Sequence, residues 1–304
     1  MKTGRRRGIM PRVVVRDSEV HLRLPSFASH IPTTNSTMKR KIPLALLGIV
    51  VLGSFTILSA KDWRSGIPWL APPIVTPGEK PGDAPSDAII LFDGKNLGAW
   101  EKPLWDVADG VMTVKPKGGT MSTKQRFGSV QLHLEFATPT EVDPKRTGQA
   151  RGNSGVFFGP YEVQILDSHE NVTYFDGQCA SFYKQRPPLV NVCRRPGEWQ
   201  TYDIVFNRPE LKIEDGKVVE VIRPGYVTVF QNGILVLNHH EIEGTGFWHQ
   251  APFYEAHAPL LPIRLQDHGD PVKFRNIWVR EIPDDTKAKP APTREPYFQE
   301  DEPK

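Results

Sequence analysis

The sequence predicts an all-β fold, a single sandwich or jelly roll of short antiparallel strands. Three observations carry this. Short runs that alternate apolar and polar residues recur through the middle of the chain, the two-residue period of a half-buried strand. Apart from one N-terminal apolar run, no stretch sustains the 3.6-residue period of an amphipathic helix. The 29 prolines and 25 glycines in 304 residues supply turns rather than long helices.

The chain divides by composition. Residues 1–37 are Arg-rich and patternless, and read as a gene-model extension or a short cytoplasmic tail. Met38 heads a normal-looking export signal, MKRKIPLALLG, and residues 42–60 carry no charge after Lys39-Arg40-Lys41. Residues 38–60 are therefore a signal peptide or a retained membrane anchor, long for the first and short for the second. Ser59-Ala60 offers a small residue for cleavage, but Leu58 fits the small-x-small pattern poorly. The basic flank predicts export of the bulk of the chain in either case, to the periplasm, the cell envelope or an outward-facing anchor. A membrane enters only through this segment. Residues 61–86, rich in Pro and Gly, read as a linker with little structure. Residues 283–304 read as a polar, disordered tail.

The net charge is +3, but the basic residues cluster before Lys41, so the rest is near neutral. No basic stripe with interleaved aromatics appears, which argues against a nucleic-acid partner. Cys179 and Cys193 could form a disulfide in an exported protein, two free thiols being the plain alternative.

The body, 87–282, resolves into short strands. Residues 88–92 are an apolar run, and 111–114 follow the turn dipeptide Asp109-Gly110. Residues 129–136 alternate, with Val130, Leu132, Leu134 and Phe136 on one side. Residues 155–166 are one bent strand or two joined at Gly159-Pro160. Residues 200–206 alternate again, and 218–222 and 226–230 follow. Asn232-Gly233 then marks a two-residue hairpin into 234–237. Residues 262–266 and 272–282 complete the set. The connections 141–152, 167–197 and 243–259 are too long for simple hairpins, and loops of that length usually carry function.

Strand parity selects the candidate site. From Tyr161, the side chains of Tyr161, Val163 and Ile165 point one way and those of Glu162 and Gln164 the other. In 261–268, Leu261, Ile263 and Leu265 share a face, while Arg264, Gln266 and, if the strand continues, His268 share the opposite one. A carboxylate, a cation, two amides and an imidazole suit a sugar site, with Trp248, Tyr254, Phe157 and Trp105 as candidate platforms. The plain alternative is two solvent-facing strands. Asn153-Ser154-Gly155 could turn its amide into the same site or be a structural Asx turn. His239, His240, His249, His257 and His268 invite a metal reading but lack any helical i, i+4 pairing. Asp203 and Arg275 lie on strands, where a buried ion pair is the plain reading. No G-x-S-x-G occurs, and no short pairing of glycosidase carboxylates does.

Five blocks in order carry a resemblance: LFDGKNLGAW (91–100), GNSGVFFGPYEVQILDS (152–168), PPLVNVCRRPGEWQTYDIVF (187–206), VTVFQNGILV (227–236) and LQDHGDPVKFRNIWVREI (265–282). Together they resemble the 3-keto-disaccharide hydrolase domain family. The resemblance implies a concanavalin A-like jelly roll of two antiparallel sheets, export in bacteria, and action on glycosides whose sugar carries a ketone at carbon 3. The family's E-x-Q and L-Q-D-H-G blocks fall on Glu162, Gln164, Gln266, Asp267, His268 and Gly269, and Asn153 and 196–199 match as well. Cys193 stands where a small residue is expected.

A carbon-3 ketone acidifies the proton on carbon 2. A base removes it, the carbon-1 substituent leaves, and water adds back, with no need for an oxocarbenium pair of carboxylates. On this reading Glu162 or His268 is base or acid and Arg264 stabilises the enolate. Asn153, Gln164, Gln266, Asp267 and His257 bind the substrate. No cofactor is certain, and a divalent metal could replace Arg264 as electrophile. The partner is a carbohydrate or glycoside. The competing reading is a non-catalytic carbohydrate-binding module at the cell surface.

Overall fold

The computed structural model describes residues 72–102 and 104–283. The readings for residues 1–71 and the tail beyond 283 fall outside them. Among the described residues no helix is long and apolar enough to cross a membrane. The strands in order are β1 (Ile89–Phe92), β2 (Trp100–Glu101), β3 (Asp106–Ala108), β4 (Val111–Thr113), β5 (Met121–Phe127), β6 (Val130–Ala137), β7 (Ser154–Phe158), β8 (Tyr161–Ile165) and β9 (Gln200–Asn207). Then follow β10 (Glu210–Glu214), β11 (Lys217–Arg223), β12 (Tyr226–Gln231), β13 (Ile234–Glu241), β14 (Thr245–Phe247), β15 (Gln250–Phe253), β16 (Leu261–Leu265) and β17 (Lys273–Glu281).

Two antiparallel sheets form the predicted jelly-roll sandwich. The larger runs β13-β12-β9-β6-β17-β4-β3, with β1 also on β17. The smaller runs β2-β5-β16-β7-β8. β10–β11 and β14–β15 are separate hairpins. The alternation read from the sequence becomes the core. Val130, Leu132, Leu134 and Phe136 of β6 are fully buried, as are Tyr202 and Ile204 of β9 and Tyr161, Val163 and Ile165 of β8. Between the sheets, Phe158 of β7 stacks on Phe206 of β9 with ring centroids 4.4 Å apart and planes 6° apart. The Tyr202 hydroxyl crosses the core to donate to the Gln164 carbonyl at 2.6 Å.

Turn chemistry fixes the hairpins. Asn232 and Gly233 both adopt positive φ, 54° and 77°, as the mirror-image two-residue turn requires. Asp215 and Gly216 do the same at 48° and 71°, closing β10 onto β11. Gly159-Pro160 separates β7 from β8, so 155–166 is two strands.

Two expectations are corrected. The stretch read as a linker is ordered at its C-terminal end. Thr76 and Ser86 are hydrogen-bonded to each other, and the Gly82 carbonyl accepts from Trp278 Nε1 and Asn276 Nδ2, each at 2.9 Å. A buried indole N–H needs an acceptor, and this segment supplies it. Asp203 and Arg275 do not pair with each other. Asp203 pairs with His133 at 2.7 Å, and Arg275 with Glu135 at 2.6 Å, because the β6–β9 and β6–β17 registers put those residues opposite.

If the Phe158–Phe206 stack joins the sheets, Phe206→Ala lowers the free energy of unfolding by roughly 3–5 kcal/mol. Urea denaturation measures this, and a loss below about 1 kcal/mol contradicts it.

Candidate active site

The outer face of the smaller sheet carries the site. Strand register aligns Arg264 (β16), Phe157 (β7) and Glu162 (β8) in one row. The next row holds Gln266, whose backbone N–H donates to the Gly155 carbonyl at 3.0 Å, then Gly155 and its cross-strand partner Gln164. The two polar strands are thus separated by β7 alone, and their polar side chains share one face. A Cβ at Gly155 would lie 2.3 Å from Glu162 Oε1 and 2.8 Å from the Phe157 ring. The glycine makes the space into which the carboxylate folds.

A cavity of about 410 Å³ opens over these rows, lined by Gln149, Asn153, Glu162, Gln164, Tyr174, Tyr183, Trp248, Gln266 and His268. Its amides are interlocked. Gln164 Nε2 donates to Asn153 Oδ1 at 3.1 Å, and Asn153 Nδ2 donates to the Gln149 carbonyl at 2.8 Å. Asn153 N–H donates to the buried Asp270, which is ion-paired with Arg146. Gln266 Oε1 is buried and makes no hydrogen bond within the protein, so it can accept one from a ligand hydroxyl. Trp248, at the tip of β14–β15, is 76% exposed and forms an aromatic wall.

Burial pushes the Glu162 carboxyl up to about 8, against the opposing pull of the Arg264 guanidinium. Burial also lowers Arg264, which the Glu162 charge offsets. Burial raises the Tyr183 phenol, helped by its hydrogen bond with Tyr174 and by the Glu162 charge.

Five of the residues selected from the sequence therefore meet: Asn153, Glu162, Gln164, Gln266 and His268. Three stand elsewhere. Arg264 lies over the Phe157 ring, 4.9 Å from its centroid, donates to the Gly159 carbonyl and faces a separate depression with His257. His257 bonds the Tyr161 hydroxyl at 2.7 Å. Asp267 accepts from the Gly119 and Gly269 N–H groups, so its carboxylate is spent on loop structure. Among the candidate platforms, Trp105 is buried against Phe274 and the Tyr254 hydroxyl is bonded to the Ile242 carbonyl. Cys179 and Cys193 are free thiols that stand side by side, hydrogen-bonded to each other. Their sulfurs also accept from amides, Cys179 from Gln231 and Cys193 from Gln200, each at 3.5 Å. Among the described residues no group of three or more His, Cys, Asp or Glu side chains is placed to hold a metal ion.

Gln149, Tyr174 and Tyr183 were not selected from the sequence. They sit in two of the three long loops, whose length signalled function but whose residues follow no period that picks out a facing side chain.

A second hollow of about 380 Å³ lies near Asp167 and Asp270. Two ion pairs cross it, Arg151 with Asp167 at 2.7 Å and Arg146 with Asp270 at 2.5 Å, and they buttress the loops beside Asn153.

The 3-keto-alpha-glucoside-1,2-lyase-like domain matches residues 87–280, spanning both sheets and every wall of the cavity. The chain belongs to this family. A curated relative from Bacteroides thetaiotaomicron, a 3-keto-disaccharide hydrolase, is 24% identical over 243 residues, covering 64% of this chain and 78% of its own. A crystal structure from Parabacteroides distasonis, described as a candidate glycosyl hydrolase, superposes with a TM-score of 0.66 at 46% identity, covering 72% of this chain and 95% of its own.

The Glu162 value predicts a stability signature. The folded-state value of about 8 lies above the ordinary 4.5, so between these pH values the folded protein holds a proton that the unfolded chain releases. Stability falls as pH rises from about 4.5 through about 8. Between pH 5 and 9 the parent should lose roughly 2–4 kcal/mol relative to Glu162→Gln, allowing for screening by solvent. Denaturation curves at the two pH values measure the difference, and parallel pH profiles would show that the carboxylate is not buried as described.

Proposed function

We propose that this protein is an exported enzyme that cleaves glycosides whose sugar carries a ketone at carbon 3. Glu162 is the base. It removes the carbon-2 proton, the electron pair forms the carbon-1–carbon-2 double bond, and the carbon-1 substituent departs. Water then adds at carbon 1, and the proton held by Glu162 returns to carbon 2. Family membership and the name of the Bacteroides relative support the substrate class. The observation that carries the mechanism is one mostly buried carboxylate, pushed up to about 8, in a cavity otherwise lined by amides, phenols, an imidazole and an indole. A base poised near the working pH is the most effective one. Oxocarbenium chemistry needs two carboxylates, and Glu162 is the carboxylate lining this cavity.

On this reading Gln164, Gln266 and Asn153 take the sugar hydroxyls and Trp248 stacks on a ring face. His268 lines the same cavity and is available as an acid. Arg264 acts on Glu162 through charge across Phe157 rather than as a contact to the enolate. The apolar segment 42–60 behind its basic flank supports action outside the cytoplasm.

Two measurements test this reading. Incubated with a 3-keto-glycoside and its unoxidised parent, the purified protein should release sugar from the keto form alone; binding of both without turnover would favour a carbohydrate-binding module. The kcat/KM of the parent should climb with pH and level off above about 8, as Glu162 ionises. Glu162→Gln should lose about 10²–10⁴-fold, and an unchanged rate would remove Glu162 from the mechanism.

A further inference from the structure

Elimination at adjacent carbons needs a proton donor beside the base, because the leaving oxygen on carbon 1 lies one bond from carbon 2. The loop after β8 provides such a group. Residues 180–183 run alongside β8, with Val163 bridged to Phe182 and the Tyr183 N–H donating to the Glu162 carbonyl at 3.0 Å. Phe182 is fully buried in the core, so strand alternation turns Tyr183 to the opposite face, where it lines the cavity next to Glu162. Its hydroxyl is 3.0 Å from that of Tyr174, whose ring lies under the Lys184 ammonium at 4.5 Å. Gly246 of β14 packs so closely that a Cβ there would fall 2.2 Å from the Tyr183 carbonyl, which holds the segment in place.

We propose that Tyr183 is the catalytic acid that protonates the leaving oxygen, with Tyr174 positioning its hydroxyl. The assignment rests on the elimination reading above. In the first half-reaction Glu162 accepts the carbon-2 proton, the carbon-1–oxygen bond breaks, and the Tyr183 proton goes to the departing oxygen. In the second, water gives its hydroxyl to carbon 1 and its proton to the Tyr183 phenolate, while Glu162 returns its proton to carbon 2. Each group ends as it began, and the net change is consumption of one water. Burial and the neighbouring Glu162 charge keep the phenol protonated before the first step.

The test uses the full-length protein and two 3-keto-glycosides that differ in the leaving group, one a sugar alcohol and one 4-nitrophenol. An acid matters for the alcohol and little for the nitrophenolate, which departs without a proton. Tyr183→Phe should lose roughly 10²–10³-fold in kcat on the alkyl glycoside and less than about tenfold on the nitrophenyl one. Tyr174→Phe should show the same ordering with smaller losses. The ratio within one variant does not depend on the fraction folded. Equal losses on both substrates would overturn the acid role and leave a structural one. Failure of the unaltered protein to release nitrophenol would instead overturn the elimination reading, and the acid role with it.

Discussion

The burial of the Glu162 carboxylate over Gly155 is the constraint on which the site depends. A carboxylate removed from water is costly and shifts towards its neutral form rather than remaining charged. Here the cavity keeps it so, with the Arg264 guanidinium across Phe157 as partial compensation. Such a group persists only if the sheet beneath it cannot rearrange. The core supplies that rigidity: the Phe158–Phe206 stack joins the sheets, and the Tyr202 phenol reaches across to the Gln164 carbonyl, two residues along the strand from Glu162.

The floor of the site belongs to strands and its walls belong to loops. Register fixes Glu162, Gln164 and Gln266 relative to one another. The long connections then bring Gln149, Tyr174, Tyr183 and Trp248 over them. These loops are anchored by buried polar groups rather than by apolar contact alone. Asp270 holds both the Asn153 N–H and Arg146, and Asp167 holds Arg151 and the His169 N–H. A rigid floor with hydrogen-bonded walls suits a reaction whose base must stay close to one carbon while its substituents differ.

The strands that alternate were legible in the sequence. In β6, β8 and β9 the two-residue period separates an apolar core face from a polar one, on which His133 and Gln164 are nonetheless buried, and Asn232-Gly233 fixes a hairpin by its own conformational demand. Parity alone put Glu162 with Gln164 on one face of their strand and Arg264 with Gln266 on one face of theirs; that the two strands are neighbours across β7 is visible only in the structure. Other strands were hidden. β5 reads MSTKQRF, with three exposed residues in a row, so its alternation breaks. β10 lies in an exposed hairpin with no core face to mark it. Side chains in loops have no period at all, which is why Tyr174 and Tyr183 were missed and why Asp267 and His257 were placed with the substrate when local hydrogen bonds occupy them.

The central claim, that one carboxylate acts by taking the carbon-2 proton, is tested most directly with a 3-keto-glycoside deuterated at carbon 2. Initial rates of sugar release by the parent protein would be compared for the labelled and the unlabelled substrate. The account predicts a severalfold fall in kcat/KM with the label, because the carbon-2 bond must break to Glu162 before the carbon-1 substituent can leave. Equal rates on the two substrates would contradict it.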